Sequence, residues 1–295
     1  MEFNKIVLGT AQIDGNYGVA RENSIFDIKK ILKICKTENI LFLDTSQKYN
    51  NAHNILSNYV KKDFNIITKI SFADIKNEYL NKEIVKRKLE EVFISLKQNQ
   101  INSILLHDTN ILKTKYADYL IEELNILKKN NKIKYFGISI YELEELESFY
   151  DLGFDIIQGP LNILDRRIID SGWLEKIHLD QKEFHARSIF LQGLLSQDKK
   201  QNIPIKFHKW EKFWNDWFSW HRNNNIKPIQ SCLSYALNNE SVAKTIIGVD
   251  NEEQLNNLIN ICKNKLLDIN MLKDLMKKTI NDEYLINPKN WKTFK

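Results

Sequence analysis

The stretch ILFLDTSQKYNNAH, residues 40–53, changes character halfway along. Ile40, Leu41, Phe42 and Leu43 are apolar without alternation, which predicts a strand covered on both faces, as in a parallel sheet. The run leads directly into Asp44, and Tyr49 follows five residues later. A carboxylate at the end of a buried strand, with a phenol just beyond it, is not what packing alone would select.

The same kind of run recurs along the chain. Strands are predicted at 5–9, 40–44, 65–69, 103–107, 133–139, 155–158, 183–189 and 243–248. Amphipathic segments lie between them at 25–39, 81–98, 115–131, 141–152, 167–180, 229–239 and 251–262. Strands alternating with helices point to an α/β fold with a parallel sheet, and eight of them fit a closed (β/α)8 TIM barrel. A doubly wound sheet is the competitor, weakened because no G-x-G-x-x-G turn follows the first strand. With no linker or internal repeat, residues 1–295 are expected to form a single domain, with a C-terminal extension from about 263.

Composition excludes several classes. Hydrophobic residues make up 43% of the 295 positions, enough for a sizeable core. The net charge of +5 is spread over 43 basic and 38 acidic residues with no basic block, which argues against nucleic-acid binding. The opening MEFNKIVLGTAQ lacks the basic-then-apolar order of a secretory signal. No run of about 18 apolar residues predicts a membrane span. Cys35, Cys232 and Cys262 lie far apart in helical patterns. They read as buried thiols in a reducing cytoplasm, with no disulfide and no metal.

In a barrel the active site gathers at the carboxyl ends of the strands. Here the second strand ends in Asp44, the third in Lys69 and the fourth in His107, with Tyr49 on the loop after the second. Each alone has a plainer explanation: an Asp caps the next helix, a Lys snorkels to water, a His is a satisfied polar group. Together they make chemical sense. A tyrosine ionises at about 10, too high for easy proton exchange at neutral pH. A lysine cation beside it favours the phenolate, and a carboxylate beside the lysine keeps that lysine charged and oriented. A histidine at the same mouth can donate to a carbonyl oxygen. The set predicts a tuned general acid that protonates an oxygen as negative charge develops there. No hydride source exists among these side chains, so a hydride-donating cofactor and a small-molecule carbonyl substrate are implied.

These residues resemble those of the aldo-keto reductases, a (β/α)8 family that reduces aldehydes and ketones with a nicotinamide cofactor. VLGTAQIDGNYG (7–18) resembles the family's first strand and glycine-rich loop, and FLDTSQKY (42–49) its Asp-Thr-x-x-x-Tyr segment. ITK (67–69) and LLHD (105–108) match its lysine and histidine segments. FGIS (136–139), RSIFLQGLL (187–195) and IIGVDNEEQLNNLI (246–259) extend the likeness from residue 5 to about 262. The resemblance implies Tyr49 as general acid, Lys69 and Asp44 as its tuning pair, and His107 as the substrate-orienting donor. It also implies a cofactor site. Ser139 and Gln158 would hold the carboxamide. Arg187, Ser188, Leu191 and Gly193 would flank the nicotinamide and pyrophosphate, with Gly9 and Thr10 at the first strand's end and Asp44 at the second's also touching the cofactor. Gly248, Gln254 and Asn257 would meet the adenosine end, where Asp250 or Asn251 is expected as helix N-cap.

Three departures stand out. Ile140 replaces the Asn that commonly follows Ser139. Arg187 stands where many members stack a tyrosine on the nicotinamide; a planar guanidinium can stack, and its charge would favour the reduced cofactor. GVDNEEQ lacks the Lys or Arg that usually meets the NADP 2′-phosphate, and Asp250, Glu252 and Glu253 would repel it unless turned away. NADP(H) is the family default, with NAD(H) the alternative. Asn50 and His53 replace a Gly and a Glu of the family's loop, which puts local geometry and substrate access in question.

Trp210, Trp214, Trp217 and Trp220 recur at helical spacing in WEKFWNDWFSWHR (210–222) and read first as a helix packed on the barrel exterior. The other reading is an aromatic flap over a sugar or aryl substrate. His178, His185, His208 and His221 show no metal-ligand spacing, and Asp108 beside His107 has no H-x-H partner on the first strand. RSIFLQGLL and PLNILDRR (160–167) resemble relatives associated with surface-polysaccharide biosynthesis, so a sugar or nucleotide-sugar carbonyl is the substrate lean. The alternative function is a cofactor-binding regulatory or sensor protein on the same scaffold with little turnover.

Overall fold

Each of the eight apolar runs is a strand in the computed structural model, which describes residues 3–13 and 27–292. The strands are β1 (Ile6–Gly9), β2 (Phe42–Asp44), β3 (Asn65–Ile70), β4 (Ile101–Leu106), β5 (Ile133–Ser139), β6 (Ile156–Pro160), β7 (Glu183–Arg187) and β8 (Lys244–Gly248). They pair in sequence order and close with β8 against β1. All eight pairings are parallel. The barrel is the (β/α)8 fold expected. Residues 14–18 of the expected glycine-rich loop, and residues 25–26 of the first amphipathic segment, lie outside the described residues.

The helices are α1 (Ile28–Thr37), α2 (Ala52–Tyr59), α3 (Lys82–Leu96), α4 (Ala117–Lys129), α5 (Glu144–Phe149), α6 (Arg167–Asp170), α7 (Trp173–Leu179), α8 (Glu211–Asn223), α9 (Pro228–Leu237), α10 (Glu252–Asn264), α11 (Ile269–Met276) and α12 (Glu283–Ile286). The predicted 167–180 helix is two, because Gly172 takes φ 80° between α6 and α7. Helix α2 had no clear sequence signal: it buries only Ala52, His53 and Leu56. Side-chain caps fix several starts, including Asn81 on Ile84 N of α3 at 2.9 Å and Asn251 on Gln254 N of α10 at 2.8 Å.

Two apolar clusters organise the molecule. The large one fills the layer between strands and helices. The small one plugs the barrel interior: Val7, Ile67, Leu105 and Ile156, with Phe42, Tyr135 and Ile246 against them. Because side chains alternate along a strand, the residue two beyond each plug residue also points inward, one layer nearer the mouth. Those residues are Gly9 after Val7, Asp44 after Phe42, Lys69 after Ile67, His107 after Leu105, Gly137 after Tyr135, Gln158 after Ile156 and Gly248 after Ile246. The plug therefore forms the floor of a polar mouth. Full burial of each large plug residue contributes roughly 1.5–3 kcal/mol. At Gly137 of β5 a Cβ would sit 2.0 Å from the Ile156 carbonyl oxygen, so the barrel closes there only with glycine.

The aromatic stripe is structural. Trp210, Trp214, Trp217 and Trp220 are all buried, at 0–8% exposure. Trp210 Nε1 donates to Asp282 at 2.8 Å and Trp220 Nε1 to Asp274 at 2.8 Å, so α8 is clamped beneath the C-terminal segment that carries α11 and α12. That segment then reaches the barrel mouth, where Asn287 Nδ2 and Lys289 Nζ donate to Glu142 at 3.0 and 3.2 Å.

Candidate active site

At the mouth, Lys69 donates from Nζ to Asp44 Oδ1 at 2.6 Å and to the Thr45 carbonyl at 3.1 Å. Gln158 Nε2 donates to the other Asp44 oxygen at 2.8 Å. Lys69 is 1% exposed, Asp44 3% and Gln158 0%. The pair is thus a dry ion pair held by a third group. Burial draws the Lys69 ammonium below the ordinary lysine range, and Asp44 draws it part of the way back.

Tyr49 lies above this pair, with Lys69 Nζ 5.4 Å from its ring centroid. The expected acidification is not what the environment produces. Burial is the largest influence and raises the phenol above its ordinary range; Asp44 raises it further, and the opposing cation is Arg187. The Lys69 charge is already matched by Asp44, so little of it is left to favour a phenolate. Tyr49 stays a neutral O–H donor across the physiological range.

His107 packs edge-on to Tyr49, with ring centroids 5.9 Å apart and planes at 88°. Burial first, then Lys69, Lys48 and Arg187, push its pKa down to about 3, so the imidazole is neutral. Its Nδ1 lies 2.8 Å from Ser46 Oγ. The loop that carries Tyr49 is tied to β3: Thr45 N donates to the Ile67 carbonyl at 2.9 Å and Gln47 N to that of Lys69 at 3.0 Å. Asn50 adopts φ 30°, on the left-handed side that Asn tolerates better than most residues, so it takes a turn that a glycine would otherwise make. His53 is buried on the far side of β3, hydrogen-bonded to Ser95 at 2.9 Å and Thr68 at 2.8 Å, and burial lowers its pKa to about 4. It pins α2 to the barrel and does not line the cleft.

A cleft of about 720 Å³ opens from Tyr49, Asp44 and Gln158 towards α10, a volume within the range of cofactor sites. Gly9, Thr10, Arg187, Ser188, Gly193, Gly248, Gln254 and Asn257 line it; Ser139 and Leu191, both buried, do not. Arg187 stacks on Tyr141, Cζ 4.1 Å from the ring centroid, and donates to the Ile140 carbonyl at 2.7 Å. Ile140 thus contributes its backbone where its side chain offers no polar group. After β7, Ser188, Leu191, Gln192 and Gly193 take φ of 58°, 49°, 54° and 89°, a left-handed path along the cleft wall. At the far end Asn251 is the helix N-cap, and Gln254 Oε1 accepts from Asp250 N at 2.8 Å. Of the three acids weighed against a 2′-phosphate, only Asp250 lines the cleft; Glu252 pairs with Lys30 at 3.2 Å and Glu253 is exposed.

Several cleft features bear on a dinucleotide. Gln158 Oε1 is buried with no hydrogen-bond partner, an acceptor in want of an N–H. A Cβ at Gly248 would meet the Gln12 side chain at 2.0 Å, so glycine makes room there for Gln12, which lines the cleft. These residues fit a nicotinamide cofactor. Sequence reasoning missed Gln12, Ser46, Tyr141 and Lys227. Gln12 and Lys227 line the cleft, Ser46 and Tyr141 hold residues of the mouth, and none carries a periodic signal. Among the described residues no cluster of three or more His, Cys, Asp or Glu side chains could hold a metal ion, and no helix is long and apolar enough to cross a membrane. Cys35, Cys232 and Cys262 are buried free thiols.

A model of the Aldo/keto reductase family matches residues 5–280. The fold is similar to that of an aldo-keto reductase from Bacillus halodurans in its holo form, with 18% identity, TM-score 0.74 and coverage of 96% of this chain and 95% of that one. The apo form of the Bacillus halodurans protein aligns with 19% identity and TM-score 0.70, over 88% and 89%. An alanine–tRNA ligase from Wigglesworthia glossinidia brevipalpis is 31% identical over 150 residues; that is 49% of this chain but 16% of the ligase, so the chain spans only a small part of that relative.

Proposed function

Because the chain belongs to the aldo/keto reductase family, we propose that it reduces an aldehyde or ketone to an alcohol with Tyr49 as the general acid. Tyr49 and Asp44 line the head of the cleft, and the convergence of His107 and Lys69 on them is the observation that carries this reading. A reduced nicotinamide cofactor, when bound, supplies the hydride.

This chain's residues do the rest. Gln158 offers its unpartnered Oε1 to the carboxamide, while its Nε2 holds Asp44. Neutral His107 orients the substrate carbonyl by hydrogen bonding to its oxygen. The Tyr49 O–H gives its proton to that oxygen as charge develops there. Arg187, the cation that acts on the phenol, then stabilises the phenolate left behind, while Asp44 holds the Lys69 charge. A phenol raised by burial holds its proton in the resting enzyme and yields it when an alkoxide-like oxygen forms beside it.

NADP(H) is the proposed cofactor. With Glu252 and Glu253 outside the cleft, Asp250 is the only one of the three acids left to favour NAD(H). The proposed substrate class is a sugar or nucleotide-sugar carbonyl. The likeness of RSIFLQGLL and PLNILDRR to polysaccharide-associated relatives supports it; burial of the tryptophan helix leaves no aromatic flap from that helix for a sugar or an aryl group. Assay of the purified protein with both reduced cofactors against neutral, sugar and aryl aldehydes tests this reading. Turnover with a sugar aldehyde supports it. Tight cofactor binding without turnover of any carbonyl would replace it with the sensor function.

A further inference from the structure

His107 can donate to a substrate only as the Nε2–H tautomer with Nε2 facing the cleft. A neutral imidazole carries one proton, so the group bonded to Nδ1 decides which nitrogen holds it. That group is Ser46 Oγ, at 2.8 Å. A hydroxyl could serve either way: accepting from Nδ1–H would leave Nε2 a bare acceptor and repel a carbonyl oxygen, whereas donating to Nδ1 makes Nε2 the donor.

The surroundings of Ser46 select the second arrangement. Its Oγ already accepts from Lys48 N at 3.1 Å. Its other possible acceptor, the Lys69 carbonyl, is 3.4 Å away and already accepts from Gln47 N at 3.0 Å. The shorter contact to Nδ1 is the better place for the hydroxyl proton. Both ends of that contact are fixed to β3, since His107 N donates to the Ile70 carbonyl at 2.7 Å and the Ser46 loop is held by Ile67 and Lys69. The Ser46 carbonyl also accepts from Tyr49 N at 3.1 Å. One residue therefore braces both the proton donor and the orienting donor.

We propose that Ser46 is a positioning residue that donates to His107 Nδ1, fixes the Nε2–H tautomer and so makes His107 a donor to the substrate oxygen. The tautomer assignment stands apart from the reductase reading; only the use made of that proton rests on it.

The test is nitrogen NMR of protein labelled with 15N-histidine, the His107 signals being those missing from a His107→Gln variant. The expected wild-type spectrum shows a protonated-type Nε2 and a pyridine-type Nδ1. In Ser46→Ala the two shifts move towards each other as tautomers mix, and Ser46→Thr keeps the wild-type pattern. Aldehyde kcat/KM should fall about tenfold in Ser46→Ala, the worth of one hydrogen bond, with recovery in Ser46→Thr and unchanged cofactor affinity. A wild-type Nδ1–H tautomer, or a Ser46→Ala spectrum identical to wild type, overturns the assignment. The wild-type spectrum is decisive even if a variant fails to fold. The expected spectra in a protein that turns over no carbonyl would uphold the Ser46 assignment and remove the reductase reading.

Discussion

Lys69 Nζ stands 2.6 Å from Asp44 Oδ1 and 5.4 Å from the centre of the Tyr49 ring, so its charge is matched by the carboxylate before it can act on the phenol. The pair is dry, and each member depends on the other. Asp44→Asn leaves a buried ammonium without a counter-charge and should cost about 3–5 kcal/mol of stability. Asp44→Asn combined with Lys69→Met removes both charges and should recover a large part of that loss. Urea denaturation of the three proteins measures it; a double variant no more stable than Asp44→Asn would contradict the dry-pair account.

Acid stability should be set by histidines. His53, His107 and His221 have pKa values lowered to about 4, 3 and 4 by burial, against an ordinary 6.5. His221 lies between Trp217 O at 2.7 Å and Ser231 Oγ at 2.8 Å; the carbonyl contact raises its pKa, and burial outweighs it. Between pH 6.5 and about 4 the unfolded chain binds protons that the folded chain refuses, so stability falls as pH falls through that window. Unfolding free energy measured in pH steps should show this slope, and His53→Gln should flatten it. A stability unchanged from pH 6.5 to 4 would contradict the burial argument.

Much of this arrangement was legible in the sequence. The eight apolar runs are the eight strands, and the polar residues that end three of them do meet at one mouth. The reason is the two-residue period: Phe42 and Asp44, Ile67 and Lys69, Leu105 and His107 each share a face. What was not legible depends on contacts between distant segments. Ser46 is an ordinary loop serine until His107 comes within 2.8 Å, and Tyr141 acquires a role only when Arg187 stacks on it. The phenol's upward shift was missed because it turns on burial and on how completely Asp44 occupies Lys69. Helix α2 stayed hidden because its sequence, AHNILSNY, places a histidine at a buried position.

Glycine substitutions should separate fold from site. Gly137→Ala drives a methyl group into the Ile156 carbonyl inside the sheet and should prevent barrel closure. Gly248→Ala meets only the movable end of Gln12, so the protein should fold while cofactor affinity falls. Circular dichroism and cofactor titration of both variants check this. A folded, stable Gly137→Ala protein would contradict the register of β5 against β6.

The tryptophan helix should matter for stability and not for substrate. Trp217 is 0% exposed and packs against Phe213 and His221. Trp217→Ala should cost about 3–5 kcal/mol, as for other large-to-small core changes, with KM unchanged at temperatures where the variant is folded. A raised KM without loss of stability would return this helix to the substrate pocket.

Arg187 should bias the site towards the reduced cofactor. Its guanidinium lines the cleft beside Tyr49, held by Tyr141 and the Ile140 carbonyl. An adjacent positive charge penalises the cationic oxidised ring, by roughly five- to tenfold in relative affinity for charges about 5 Å apart in a partly screened site. Titration of Arg187→Tyr with each redox form should show the ratio of oxidised to reduced dissociation constants falling by that factor. An unchanged ratio would place the nicotinamide elsewhere.

The central claim, that Tyr49 delivers the proton during carbonyl reduction, is tested most directly by single-turnover oxidation of bound reduced cofactor on mixing with an aldehyde, in wild type and Tyr49→Phe. The account predicts a rate at least about a hundredfold lower in Tyr49→Phe, the usual worth of a positioned acid, with cofactor affinity unchanged. Equal rates in the two proteins would contradict it.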